Sequence, residues 1–553
     1  MSAADALLEA GRDALSRGAW GEARESFEAV LRDRDTPEAL EGLSWAVWWL
    51  NDAEAVFRTR QLAFLRYREE GDGRGAARMA LWLAADHLDF RGEAAVASGW
   101  LERGRRLLST QEEAPEHGWL ALFEGALALE MHGDPVEARC RGAYAEKLGA
   151  RLGIIDLEML GLAVEGLALV TEGRVQEGMR RLDEAVAAAV AGELRDIVSV
   201  TWAACYVIYA CERIRDYDRE AQWCRAVEAL AARLQIRQLL GECRTHYGGV
   251  LTWHGAWREA EEQLARAADD YAASRPLAAA ESVARLVELR RRQGRLDEAE
   301  RLLGEAEWHP LATLAGAHLA LDRGELERAA DIAQRSLRHL SEADLTGRAA
   351  WLEVLACASA AVGDDAAAAA AELRSIADAV ATDALRAAAG FAEGVVAAAK
   401  GDHETARRRL EDASELYQRC DAPFETARSR LWLAKALQAM GRTDAAAVDA
   451  RGAALAFRRL GAEREAVHAE AVVNELSAKA RAGLRAGTRS VNLTPRQLDV
   501  LALVAEGRSD REIARRLGLS EHTVHRHVAN ILTRLGVPSR AAAVARANEL
   551  GLL

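Results

Sequence analysis

The chain has 553 residues, 50% of them hydrophobic and 29% charged, with only 8 prolines. That length is too great for one hydrophobic core, and that composition excludes a mainly disordered chain. The net charge of −14 conceals an asymmetry: from Arg489 to Leu553 ten arginines face six acids, a net +4, while the preceding residues hold 62 basic and 80 acidic side chains, a net −18.

The first residues, Met1-Ser2-Ala3-Ala4-Asp5, show neither the basic segment nor the apolar stretch of a secretory signal. No apolar run approaches the roughly 18 residues of a membrane span. A cytoplasmic protein with no membrane partner is expected. Seven cysteines are scattered without a CxxC pair. Cys205, Cys211, Cys224 and Cys243 fall in neighbouring repeats, but small apolar packing residues are expected there rather than a redox or metal sensor.

From the N-terminus onward, a glycine is followed five residues later by a small residue. The pairs are Gly18/Ala23, Gly92/Ala97, Gly133/Ala138, Gly173/Gly178, Gly255/Ala260, Gly294/Ala299, Gly324/Ala329, Gly363/Ala368, Gly401/Ala406 and Gly441/Ala446. Weaker copies lie near Asn51/Ala55 and Asp216/Ala221. From Gly92 on, successive copies are mostly 38 to 43 residues apart, with one step of 30 between Gly294 and Gly324. Each copy reads as a helical hairpin. The glycine ends the first helix in a left-handed cap that needs no Cβ, and the small residue lets the second helix approach closely. Apolar residues then continue one face, as Phe27 and Val30, Leu182 and Ala185, Leu264 and Ala267, Leu303 and Ala306, or Leu410 and Ala413 do.

One hairpin cannot bury its face alone, so the units must stack. The expected fold is all-α: a right-handed α-solenoid of at least ten hairpins over residues 1–476, without strands. The small, aromatic and alanine positions resemble the tetratricopeptide repeat over most of residues 4–470, at a period longer than the usual value of about 34. All fourteen tryptophans lie in this array. Trp45, Trp48 and Trp49 cluster on one helix and are expected to fill the seam between helices rather than line a ligand groove. Histidines such as His246 and His254 read as surface or seam residues.

Residues 477–490, SAKARAGLRAGTRS, carry Lys479, Arg481, Arg485 and Arg489, two glycines and no acid, and read as a flexible basic linker. Residues 491–553 then give four helix signals. Thr494-Pro495-Arg496-Gln497 forms a capping box, and Leu498, Leu501, Ala502 and Ala505 are the expected apolar face of a helix ending at Gly507. Ser509 and Glu512 form a second capping box, with Ile513, Ala514 and Leu517 facing inward and Gly518 as the stop. Ser520 caps a third helix, 521–535, after a three-residue turn that is a helix-turn-helix signature. Ser539 caps a fourth, with Ala542, Ala543, Ala547 and Leu550 available for packing.

At about 100° per residue, Val524, Val528, Ile531 and Leu535 of the third helix share one face. The opposite face carries His522, His525, Arg526, Ala529, Asn530 and Thr533, with His527 at the boundary. It holds hydrogen-bonding groups, a guanidinium and a small side chain, with no acid. Such a face suits a major groove, where Arg pairs with guanine and Asn with adenine.

The stretch LTPRQLDVLALVAEGRSDREIARRLGLSEHTVHRHVANILTRLGV resembles the LuxR/GerE-type DNA-binding domain without a gap. The resemblance implies a four-helix domain whose third helix reads double-stranded DNA and whose fourth commonly mediates dimerisation, hence a homodimer on DNA. It places His525, Arg526 and Ala529 at base-contacting positions, and Ser520, Thr523 and Asn530 near the backbone. Thr494, His522, Thr533, Arg534 and Arg540 are further candidates for DNA contact. Two positions depart from the family pattern: Gln497 replaces a glutamate and His525 a lysine. Array and domain together resemble the large LuxR-type regulators, but without their GxxxxGK[ST] phosphate loop and without room for a receiver domain. The array is then the expected sensor of a small molecule or protein partner. No cofactor is expected. The alternatives are a scaffold whose DNA-binding domain is vestigial, or an enzyme, for which HExxH, GxSxG and paired-cysteine motifs are lacking.

Overall fold

Left-handed residues punctuate the chain where the glycine pattern places them. The computed structural model describes residues 3–130, 133–234, 237–272, 275–306, 309–489 and 493–553, and every regular element among them is an α-helix. All ten glycines of the repeat pattern have φ between +59° and +85°. In nine of the ten copies the second helix starts two residues after the glycine, and its fourth residue is the buried small one, from Ala23 to Ala446.

Three copies differ from the sequence reading. After Gly363, Asp364 and Asp365 lengthen the turn and the helix begins at Ala367, so Ala370 is buried and Ala368 is exposed. In the two weaker copies the left-handed residues are Asn51 (φ +59°) and Arg215 (φ +56°). The close-approach positions are therefore Val56 and Glu220, both fully buried, rather than Ala55 and Ala221.

Among the described residues twelve hairpins result, from Ala3–Ser16 with Trp20–Asp33 to Pro423–Ala439 with Thr443–Leu460, followed by the single helix Glu463–Arg489. The first helices of successive hairpins pack on one another, as Arg237–Trp253 does on Pro276–Arg292. The stack also turns back on itself. Helix Gly73–Arg91 meets Pro276–Arg292, and Ile155–Thr171 meets Leu345–Val362. Trp253 Nε1 donates to the Cys420 carbonyl at 3.1 Å, and the Arg275 guanidinium lies 4.3 Å over the Trp48 ring.

Because first helices are covered on more than one side, some lose their polar face. Ile197–Ile214 and Leu345–Val362, 18 residues each, are long and apolar enough by length and composition to cross a membrane, which corrects the expectation that no segment would be. Packing inside the array buries 61% and 50% of them. Four tryptophans meet in the seam: Trp49 stacks on Trp20 at 4.9 Å, and Trp45 meets Trp82 edge-on at 4.6 Å. Cys211, Cys224 and Cys243 are buried free thiols.

The chain divides into two compact units, Met1–Glu470 and Ala471–Leu553. The expected flexible linker is instead helical through Arg489, as the end of helix Glu463–Arg489. Its alanines, lysine and arginines are good helix formers and no proline interrupts them; each glycine costs only about 1 kcal/mol in a helix. Residue 490 of that segment, and residues 491–492 of the expected domain, lie outside the described residues.

Candidate nucleic-acid interface

The four C-terminal helices are Pro495–Ala505, Asp510–Leu517, Glu521–Leu535 and Arg540–Glu549. Each start is fixed by a side-chain cap. Thr494 accepts from Gln497 N while Gln497 Oε1 accepts from Thr494 N at 3.0 Å, and Ser509 with Glu512 repeats that reciprocal pair. Hydrogen bonds from the Ser509 N–H and hydroxyl hold the Glu512 carboxyl below its ordinary range. Gly518 and Gly536 close the second and third helices in the left-handed region, at φ +67° and +65°.

One apolar core joins the four helices. The third contributes Val524, Val528, Ile531 and Leu535, and the fourth Ala543 and Ala547. The first helix contributes Val500, Leu501, Leu503 and Val504. Here the sequence reading was rotated: Ala502 and Ala505 are exposed and Leu498 is half-buried. Larger side chains take the inward positions because they fill the volume facing the third helix, and the alanines are left to solvent.

On the third helix His522, His525, Arg526, Ala529, Asn530 and Thr533 are all exposed. The structure therefore brings these six candidates onto one outward face. Within it, Ser520 Oγ accepts from Thr523 N at 3.1 Å and lies 2.7 Å from Thr523 Oγ1. Thr533 Oγ1 donates back to the Ala529 carbonyl at 3.0 Å. No hydrogen bond or ion pair among the described residues engages the Arg526 guanidinium.

Two other candidate cations are held inside the domain. Arg534 Nη1 donates to Gln497 Oε1 at 3.0 Å, and Arg540 pairs with Asp510. Asp510 Oδ2 also lies 3.5 Å from His525 Nδ1. The third helix alone offers an acid-free face; its fold neighbour supplies the carboxylate, which Arg540 partly neutralises. No wheel of a single helix reveals Asp510. Its place at the start of the second helix, where an acid is favourable, was the available signal. Thr494 is exposed, with its hydroxyl engaged in the cap.

A repeat array precedes a domain with the helix-turn-helix arrangement of DNA-binding proteins. Residues 491–547 match the family model "Bacterial regulatory proteins, luxR family", and this C-terminal unit is a helix-turn-helix domain of the LuxR/GerE type. The chain is 42% identical over 80 residues to the nitrate/nitrite response regulator protein NarL of Escherichia coli K12, covering 14% of this chain and 37% of NarL. It is 42% identical over 65 residues to the transcriptional activator protein CarR of Pectobacterium carotovorum, covering 12% of this chain and 27% of CarR. Of those relatives, then, the chain spans only about a third of the length. Among solved structures, the APC/C hetero-tetramer Cut9–Hcn1 aligns over 86% of this chain and 96% of that chain at 14% identity, with a TM-score of 0.45.

Proposed function

We propose that this protein is a cytoplasmic, sequence-specific transcription regulator that binds double-stranded DNA as a homodimer. Helix Glu521–Leu535 lies in the major groove, and the repeat array responds to a protein or small-molecule effector. One observation carries the reading: six exposed side chains, His522 to Thr533, stand opposite a buried apolar stripe on the third helix of a LuxR-type domain. Arg526 reads a guanine edge and Asn530 approaches an adenine or the backbone, with His525 and Ala529 between them and Ser520 and Thr523 toward phosphate. Arg534 and Arg540 act chiefly by holding the helix in place. No catalytic step is assigned to the chain.

Chromatin immunoprecipitation with sequencing, repeated with Arg526→Ala, tests this. Enrichment at a two-fold-related site that the variant loses is the expected result. Uniform background with the unaltered protein would overturn the reading and leave an interaction scaffold.

A further inference from the structure

The repeat register marks one place in the array. Ten of the twelve hairpins put Ala or Gly at the fourth residue of the second helix, and the hairpin Ile197–Ile214 with Tyr217–Leu234 puts Glu220 there, fully buried. Beside it, His246 of helix Arg237–Trp253 is also fully buried. Its imidazole sits among carboxylates from three first helices. Nδ1 is 3.0 Å from Glu212 Oε1, while Nε2 is 3.9 Å from Glu242 Oε2 and 3.8 Å from Glu281 Oε1.

In the neutral imidazole the surrounding hydrogen bonds select one tautomer. Arg285 Nη2 approaches Glu212 Oε2 at 3.0 Å, Glu281 Oε1 at 2.8 Å and His246 Nδ1 at 3.0 Å. Its two hydrogens go to the carboxylates, so Nδ1 carries the ring hydrogen and donates to Glu212 Oε1. The Nε2 lone pair then points toward Glu242 and Glu281, and Nε2 has no hydrogen-bond partner among the described residues. Separations of 3.8 and 3.9 Å are too long for a proton to bridge as a hydrogen bond. In that neutral tautomer the Nε2 lone pair and two carboxylate oxygens converge, a donor set that a multivalent cation can draw together.

We propose that Glu242 Oε2, His246 Nε2 and Glu281 Oε1 form a binding site for one divalent transition-metal ion of the zinc type. Glu242 and His246 are one helical turn apart on a single face, and Glu281 comes from the next first helix. The three ligand atoms lie within 4.8 Å of one another. Metal–ligand bonds of about 2.0–2.2 Å set tetrahedral ligands roughly 3.3–3.6 Å apart, so small side-chain rotations close the site. Glu212 is the outer carboxylate that fixes the tautomer and orientation of a metal-binding histidine. An imidazole with two carboxylates favours zinc or its first-row neighbours over calcium or magnesium. Glu212, Glu220 and Nδ1 also lie within ligating reach, but there the Arg285 guanidinium already supplies the cation. Side-chain exposures of 22% for Glu242 and 13% for Glu281 leave both carboxylates open to solvent, from which the ion would enter.

Metal binding at this site does not depend on DNA binding by the C-terminal domain. Full-length protein, stripped with chelator, is titrated with zinc chloride by calorimetry, with circular dichroism as the check on folding. One zinc per chain is expected. His246→Ala should abolish that binding, and Glu242→Gln, at the solvent edge of the site, should weaken it by at least about tenfold. Zinc should raise the melting temperature of the unaltered chain and not that of His246→Ala. If His246→Ala does not fold, Glu242→Gln decides. The absence of saturable binding, or zinc binding that Glu242→Gln leaves unchanged, overturns the proposal; the latter places the ion elsewhere, such as on the exposed histidines His522 and His525.

Discussion

Arg534, in the last turn of the third helix of the C-terminal domain, donates to Gln497 Oε1 at 3.0 Å, the same oxygen that accepts the Thr494 N–H at the start of the first helix. One side-chain oxygen thus completes the cap of the first helix and anchors the third. Gln497→Ala should destabilise the domain by about 1–2 kcal/mol, combining a lost cap interaction with a lost hydrogen bond to a charged group. Arg534→Ala should cost somewhat less, and the double variant less than the sum, because both act through one atom. Amide hydrogen exchange of helix Glu521–Leu535 in the full chain measures this. Strictly additive effects would show that the two side chains are not coupled.

Arg526 should be the strongest determinant of operator sequence. It projects from the face opposite Val524, Val528 and Ile531 and is not engaged by a neighbour among the described residues. A bidentate guanine contact gives about 1–3 kcal/mol of discrimination. Arg526→Ala should leave the helical fold intact and lose selectivity at one base pair per half-site. Binding assays on a panel of single-base operator variants distinguish the cases: a uniform loss across the panel would make Arg526 a phosphate contact.

Affinity for DNA should fall steeply with salt, with a log–log slope of about −0.9 per phosphate neutralised. Neutralising Lys479, Arg481 and Arg485 together should flatten the slope while leaving base preference unchanged. Lys479 is paired with Glu475 at 2.7 Å, but on the surface, where such a pair is readily exchanged for phosphate. An unaltered slope in a salt titration would exclude this segment from the backbone contact.

Within the array, acid should loosen the contact between distant hairpins. Glu353 accepts from Arg215 and from Arg428, each at 3.0 Å, and only 7% of its side chain is exposed. Burial alone would raise its carboxyl, but the two guanidiniums outweigh burial and pull it down to about 2. The folded value therefore lies below an unfolded value of about 4.3, so the stabilisation is present above that pH and is lost as pH falls toward 2. It amounts to about 3 kcal/mol on that difference. Glu353→Gln should be destabilised by a similar amount near pH 7 and should converge with the unaltered chain at low pH. Urea midpoints followed by tryptophan fluorescence across this range provide the measurement; a gap that does not change with pH would mean that Glu353 titrates normally.

Several features were set by local chemistry and so were legible in the residues themselves. The ten glycines of the repeat pattern are left-handed because a helix ending there needs φ above zero, whatever surrounds it. The four C-terminal helices start at Thr494, Ser509, Ser520 and Ser539 because a cap satisfies its own backbone N–H groups. The outward face of the third helix followed from its apolar period, which a tail of net positive charge made meaningful.

Other features needed the tertiary structure, because they depend on residues that only folding brings together. Arg534 belongs to the exposed side of its own helix and is claimed by Gln497 from another. The rotation of the first helix, with Val500 and Val504 inward and Ala502 outward, was decided by which side chains fill the volume beneath the third. In the array, Arg215 rather than a glycine ends a helix, which moves the register by one and buries Glu220 in place of a small residue. His246 reads as one more seam histidine until helices ending at Ile214, Trp253 and Arg292 converge on it with Glu212, Glu242 and Glu281. Periodicity encodes which face of a helix is buried; which charges meet there is decided by packing between segments more than thirty residues apart.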